Sequence, residues 1–268
     1  MKIKAWGALV RASVMDFLQF RLSMFVMLLG NIIYLIVIYN LWKAIYASVD
    51  NAVINGMSFN DTMIYLVLAS AQFTFMEAYL VWYMGRSIQS GKIVLELLKP
   101  VSYAQYLLFS QEGGNIVPFV VTFIPTFIIV QIITKGAIHM GVNLLFYLAA
   151  ALLGMLINFA VDFLVGTICL YTESTWGVNI MKEVVVLFLS GATVPLAFFP
   201  ETLRKIAMFL PFHSIYNTPL TFLTKGATLG IGESFLMLAE QALWLVVLLI
   251  AGKIFWTVSE RVITVNGG

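Results

Sequence analysis

Long runs of apolar residues, separated by short polar segments, make up most of the sequence. A helix needs about 20 mostly apolar residues to cross a bilayer, and six segments meet that requirement. They are residues 22–42, 62–84, 113–134, 142–171, 178–198 and 234–256. The pattern predicts an all-α integral membrane protein with six transmembrane helices, in which residues 1–268 form a single transmembrane domain.

Residues 1–21 have the pattern of a helix that lies in the headgroup plane of a membrane. Apolar side chains recur at spacings of three and four, and the basic side chains lie off that stripe. The apolar set is Ile3, Trp6, Val10, Val14 and Phe17, and the basic set is Lys2, Lys4 and Arg11. We predict an N-terminal interfacial helix, whose simplest role is an electrostatic anchor on anionic lipid.

Residues 85–112 form a loop with short amphipathic helical patches, broken at Gly91 and stopped by Pro100. A polar loop that exposes this much aliphatic surface usually docks on a partner. The alternative is a solvated connector without a partner.

Residues 199–233, between spans five and six, are apolar but are cut into short pieces by Pro200, Pro211 and Pro219. Each piece is too short to cross the bilayer and too apolar to lie in water. Irregular backbone at membrane depth is tolerated where protein buries it. We therefore predict re-entrant half-helices on the external side.

Composition supports the membrane assignment and excludes other classes. Hydrophobic residues make up 61% of the chain and charged residues 10%, whereas a soluble domain has about 25% charged residues. A net charge of +2 is too small to indicate nucleic-acid binding. The single cysteine, Cys169, excludes an internal disulfide and a cysteine-based metal site. We expect no metal and no cofactor on this chain.

The distribution of Lys and Arg predicts the orientation, because cytoplasmic loops carry an excess of them. With the N-terminus inside, the cytoplasmic side holds ten of the fifteen basic residues. These ten are Lys2, Lys4, Arg11, Arg21, Arg86, Lys92, Lys99, Lys182, Lys253 and Arg261. We predict a multi-pass protein with both termini in the cytoplasm.

Three acidic residues, Glu77, Asp162 and Glu240, lie inside predicted spans. An ionised carboxylate at mid-helix costs at least ~2.5–3.5 kcal/mol, so each residue suggests a function. Glu77 and Asp162 fall in the inner half of the bilayer. Glu240 falls in the outer half, where we expect it to pair with Arg204 or Lys205.

Asp162 belongs to a ridge of small and polar residues on span four, formed with Gly154, Asn158 and Gly166 at spacings of four. Such a ridge favours close helix packing. Two roles for Asp162 stay open: packing against a neighbouring helix, or attraction of a cation into a cavity. The candidate translocation cavity comprises Glu77, Asn158 and Asp162.

Two sets of motifs resemble the type-2 ATP-binding-cassette (ABC) exporter permeases. Residues 86–92 read Arg-Ser-Ile-Gln-Ser-Gly-Lys and residues 97–101 read Leu-Leu-Lys-Pro-Val, as in that family's cytoplasmic loop. Outside the membrane, Phe-Pro-Glu-Thr-Leu at 199–203, Leu-Pro-Phe at 210–212 and Tyr-Asn-Thr-Pro at 216–219 resemble its re-entrant region. The resemblance covers essentially the whole chain and is strongest to bacterial permeases that occur as a pair of related subunits.

The resemblance implies a half-transporter of the bacterial cytoplasmic membrane. A second, related permease would complete the translocator as a homo- or heterodimer, and two separate ABC ATPase subunits would bind ATP and Mg²⁺. Contact with the ATPase would fall to Arg86, Ile88, Gly91, Lys92 and Glu96. In the external segment, Pro200, Glu201, Pro211 and Pro219 would be the marked residues. The chain is not expected to be an enzyme: the nearest phosphate-loop-like run, residues 226–234, lacks the required Lys.

The expected function is ATP-driven export of an amphipathic or hydrophobic compound, including a drug-like cation as in multidrug efflux. One alternative is the same architecture exporting a lipid-linked glycan or peptide. A second alternative is a membrane-embedded enzyme or scaffold that transports nothing.

Overall fold

A computed structural model describes residues 2–19, 21–49, 53–76, 79–136, 138, 141–172, 174–226 and 228–263. The helices are α1 (Lys2–Gln19), α2 (Arg21–Ala47), α3 (Phe59–Met76), α4 (Leu80–Gln89), α5 (Ile93–Leu97), α6 (Tyr103–Gln111), α7 (Ile116–Ile133), α8 (Val142–Ile168), α9 (Thr175–Leu189), α10 (Glu201–Phe209), α11 (Asn217–Thr224) and α12 (Ile231–Ser259). Strands β1 (Val53–Ile54) and β2 (Met57–Ser58) form a short antiparallel hairpin between α2 and α3.

Helical stretches long and apolar enough to cross a membrane confirm the predicted all-α membrane fold. Within the described residues they number five: Leu28–Ala47, Phe59–Gln89, Tyr103–Ile133, Val142–Ile168 and Ile231–Val262. The predicted fifth span corresponds to α9, whose 15 residues fall short of the about 20 that a crossing helix needs. The count of six spans stays a prediction.

The third stretch begins at Tyr103, well before the predicted start at residue 113. Helix α6 continues through a 3₁₀ turn, Glu112–Asn115, into α7. The sequence predicted a loop over residues 85–112. Burial of Tyr103 and Leu107 against the core instead favours continued helix through this region.

Helix α8 is the central element and contacts α3, α4, α9, α11 and α12. The small residues of its ridge permit this, as the sequence predicted. A Cβ on Gly154 would lie 3.0 Å from the Ile215 carbonyl oxygen, and one on Gly166 would collide with the Met84 side chain. The ridge therefore holds α8 close to α4 and to the external segment.

Helix α1 packs against α6 and the 3₁₀ turn that follows it. The Trp6 ring stacks on Phe109 with centroids 5.0 Å apart. The Ser13 hydroxyl donates to the Ser110 carbonyl at 2.6 Å. Helix α1 thus packs against the rest of the protein. Its position at a membrane interface stays a prediction.

Residues 199–233, the predicted external segment, form short helices that pack on the long helices. Pro200 precedes α10, Pro211 opens a 3₁₀ turn (Pro211–Ser214), and Pro219 lies in the first turn of α11, where a missing N–H costs little. Two glutamines support the irregular backbone: Gln72 donates to the Ile215 carbonyl at 2.9 Å, and Gln241 to the Ser214 carbonyl at 2.7 Å. This is how backbone groups are satisfied away from water.

Candidate functional site

The buried carboxylate of Asp162 forms an ion pair with Lys182 of α9. Its Oδ1 lies 2.8 Å from the Lys182 ammonium, and both side chains are almost completely buried. This contact is the one expected of the packing role, since it joins α8 to α9. The sequence counted Lys182 only among the cytoplasmic charges, because nothing in its spacing relates it to Asp162.

A second buried acid, Glu112, lies close enough to interact with the charges of Asp162 and Lys182. It is 2% exposed, and its Oε2 accepts a hydrogen bond from the Asn115 amide at 3.1 Å. The sequence did not identify Glu112, because its position between two apolar runs made it a loop residue. In the structure the chain stays helical across Glu112, from α6 through the 3₁₀ turn Glu112–Asn115 into α7.

Asn158 connects α8 to the end of α3, where its amide donates to the Met76 carbonyl at 2.9 Å. The next residue along the chain, Glu77, lies outside the described residues. Asn158 and Lys182 line a common cavity of about 80 Å³. Lys182 therefore links the two residues, since it lines a cavity with Asn158 and forms an ion pair with Asp162. The role of Glu77 in the cavity stays a prediction.

A larger cavity of about 340 Å³ lies between α2, α3 and α9. Its polar lining is uncharged and consists of Asn31, Tyr34, Ser70, Thr74 and Thr193. Apolar and aromatic groups complete the wall, in the composition typical of small-molecule sites. The sequence did not predict this cavity. Gly30 and Asn31, in the middle of an otherwise apolar span, were the available signal.

The predicted ATPase-contacting residues lie in the α4–α5 turn, residues 86–98, which runs from the end of α4 through α5. Gly91 has a φ of +72°, a left-handed conformation that glycine adopts without strain. Glu96 is 1% exposed, and its carboxylate accepts hydrogen bonds from the Tyr83 and Ser87 hydroxyls. Glu96 and Gly91 therefore shape the turn from within.

The predicted ATPase-contacting residues differ in their exposure to solvent. Ile88 is half-buried and packs on the apolar cluster around Leu80 and Met84. Arg86 and Lys92 are exposed. The most exposed apolar side chains of the turn are Leu95 and Leu98, which are 66% and 77% exposed. Both leucines belong to the loop predicted at residues 85–112, but they were not among the predicted contacts.

The predicted pairing of Glu240 with Arg204 or Lys205 is wrong. The Oε1 of Glu240 lies 3.4 Å from Nε2 of His213, a buried residue of the 3₁₀ turn before α11. Lys205 instead pairs with Glu201, one turn away on α10, at 2.6 Å. Helix α10 is amphipathic and turns its charged residues outward, which carries Lys205 away from α12.

Residues 25–267 match a family model described as "ABC-2 family transporter protein". No curated protein matches the chain.

Proposed function

Because the chain belongs to the ABC-2 family of transporter proteins, we propose that it is the permease subunit of an ABC exporter of amphipathic or hydrophobic compounds. In this family the permease is the transmembrane component, and ATP is hydrolysed by separate ABC ATPase subunits. ATP and Mg²⁺ would bind to those subunits. The protein would lie in the bacterial cytoplasmic membrane with both termini in the cytoplasm.

The α4–α5 turn supports contact with the ATPase. It closes one end of the helical stretch Phe59–Gln89 and exposes Leu95 and Leu98 there. Internal hydrogen bonds to Glu96 hold the turn to α4. A movement of the ATPase against the leucines would therefore be transmitted to α4 and to the rest of the stretch Phe59–Gln89.

The cavity between α2, α3 and α9 supports an amphipathic cargo. Its hydroxyl and amide groups can bond a polar head, while Phe73 and Leu187 contact an apolar body. Asp162 is neutralised by Lys182, so a drug-like cation would depend on Glu77. The cargo best suited to the described lining is an uncharged amphiphile.

A second, related permease would cover the open side of this cavity. Only 6% of the most apolar window of Leu28–Ala47 is buried within the chain. The same helix contributes Gly30, Asn31 and Tyr34 to the cavity wall. A homo- or heterodimer would enclose the cavity between the two subunits.

ATPase docking can be tested with a Leu95→Asp/Leu98→Asp double variant, co-expressed with the ABC ATPase. Charged side chains on the docking surface should abolish co-purification of the ATPase while membrane insertion and elution volume stay unchanged. Phe209→Asp is the matched control, because Phe209 is 77% exposed on α10, in the external segment. Wild-type co-purification in the double variant would contradict the proposal.

A further inference from the structure

An open groove of about 620 Å³ lies beside the end of α4. It runs between α4, the turn that follows, and the last residue of α6. Its lining includes Trp82, Tyr83, Arg86, Ser90, Lys92 and Gln111. None of these side chains belongs to the cavity between α2, α3 and α9.

The groove lies at one end of a helical stretch that is long enough to span a membrane, where lipid headgroups would be. The helical stretch Phe59–Gln89 ends at Gln89, so Arg86 is one turn from its end. Trp82 and Tyr83 lie about one turn deeper, in the position where aromatic rings mark a membrane–water interface. A ligand in the groove would therefore have its polar part at the surface and an apolar part beside the rings.

The described lining of the groove is basic. Arg86 and Lys92 each contribute a positive charge, and no acidic side chain lines the groove within the described residues. The nearest described carboxylate, Glu96, is buried and already accepts two hydrogen bonds. Glu96 also forms an ion pair with the Lys92 ammonium at 3.8 Å, but the Lys92 side chain is 59% exposed and can reach a second anion in the groove.

The Arg86 guanidinium contacts an aromatic ring but pairs with no carboxylate among the described residues. It lies over the Trp82 ring, 5.5 Å from the centroid, and it forms no ion pair with any described carboxylate. A guanidinium held by an aromatic face keeps N–H donors for a bidentate acceptor, and phosphate is the acceptor that its geometry matches. The Lys92 ammonium lies 5.5 Å from the Tyr83 ring centroid on the same groove.

We propose that this groove binds the phosphate of an anionic phospholipid, with Arg86 and Lys92 as its donors and Trp82 and Tyr83 against the start of the acyl chains. The phosphate supplies the negative charge that the lining lacks. The apolar chains, which a soluble phosphate does not have, account for the aromatic wall. Lipid binding needs neither the ATPase nor a cargo, so it can be tested separately from the proposed transport function. Arg86 and Lys92, which the resemblance assigns to ATPase contact, would here face the lipid instead.

The test is a native mass-spectrometry titration of the full-length protein in detergent, without ATPase. Phosphatidylglycerol is compared with phosphatidylcholine of the same acyl chains. We expect the first phosphatidylglycerol to bind about tenfold or more tighter, because the choline ammonium of phosphatidylcholine cancels the phosphate charge that phosphatidylglycerol presents to Arg86 and Lys92. Arg86→Gln/Lys92→Gln should reduce the preference to near unity.

Two controls keep the test decisive. Arg204→Gln/Lys205→Gln also removes two exposed positive charges, but on α10, and should keep the preference. Lys92→Gln alone replaces a mostly exposed side chain, so it should fold normally and lose part of the preference. Equal binding of the two lipids to the wild type, or an unchanged preference in Arg86→Gln/Lys92→Gln, would overturn the proposal. Displacement of the lipid by millimolar inorganic phosphate would also overturn it, because the groove would then recognise a soluble anion.

Discussion

At the scale of single residues, the Asp162–Lys182 ion pair joins two helices through charges that are almost completely buried. Two charges this deeply buried are tolerable only because each neutralises the other. The pair also removes Asp162 from the set of charges that could attract a cation. Its role is therefore to join α8 to α9 rather than to select cargo.

Removing one partner of the ion pair should destabilise the protein more than replacing both partners. We expect Lys182→Met to lower the free energy of unfolding by about 3–5 kcal/mol, because it leaves a buried carboxylate without a partner. The double variant Asp162→Asn/Lys182→Met should recover much of that loss. Thermal unfolding in detergent, followed by the fraction that remains monodisperse, measures both. A double variant no more stable than Lys182→Met would contradict this account.

At the scale of elements, close approach between α8 and the turn Pro211–Ser214 holds the external segment in place. Gly154 makes this approach possible. Gln72 and Gln241 donate hydrogen bonds to backbone carbonyls of the irregular segment. The segment is thus fixed to three helices, α3, α8 and α12. It should behave as part of the core rather than as a loose loop.

Gly154→Ala tests this packing. The added Cβ would meet backbone atoms of Ser214 and Ile215 at 3.0–3.3 Å, and such overpacking typically costs about 1–3 kcal/mol. Gly30→Ala is the control, since nothing lies within 4 Å of its Cβ and alanine favours helix by up to about 1 kcal/mol. Thermal unfolding of the two variants should move in opposite directions. Equal stability of both would show that the approach at Gly154 is not tight.

At the scale of the whole molecule, the orientation in the membrane decides which end meets the ATPase. The α4–α5 turn must be cytoplasmic, and both the β-hairpin and the end of α11 must be external. The distribution of Lys and Arg among the loops predicts this orientation.

Cysteine labelling of intact cells tests the orientation, in a Cys169→Ser background. Cysteines at Ser58 and Thr224 should react with a membrane-impermeant thiol reagent, and a cysteine at Ser90 should react only after the cells are opened. Labelling of the Ser90 position in intact cells would reverse the orientation and place the turn out of reach of any cytoplasmic ATPase.

The membrane fold could be predicted from the sequence, because the lengths of apolar runs are a local property. The ridge of α8 could be predicted for the same reason, since residues four apart share a helix face. The partners of Asp162 and Glu240 could not, because Lys182 and His213 reach them only through tertiary packing. The uncharged cavity was also missed, since its walls come from α2, α3 and α9, which only tertiary packing brings together.

The central claim is that ATP hydrolysis on a separate subunit drives a compound through this permease by way of the α4–α5 turn. The most direct measurement is uptake of fluorescent amphiphiles, neutral and cationic, into proteoliposomes that contain the permease and its ATPase, with ATP added outside. We predict ATP-dependent accumulation of a neutral amphiphile, retained in Phe209→Asp and lost in Leu95→Asp/Leu98→Asp. Accumulation that persists in the Leu95→Asp/Leu98→Asp variant, or ATP hydrolysis without accumulation of any amphiphile, would contradict the account.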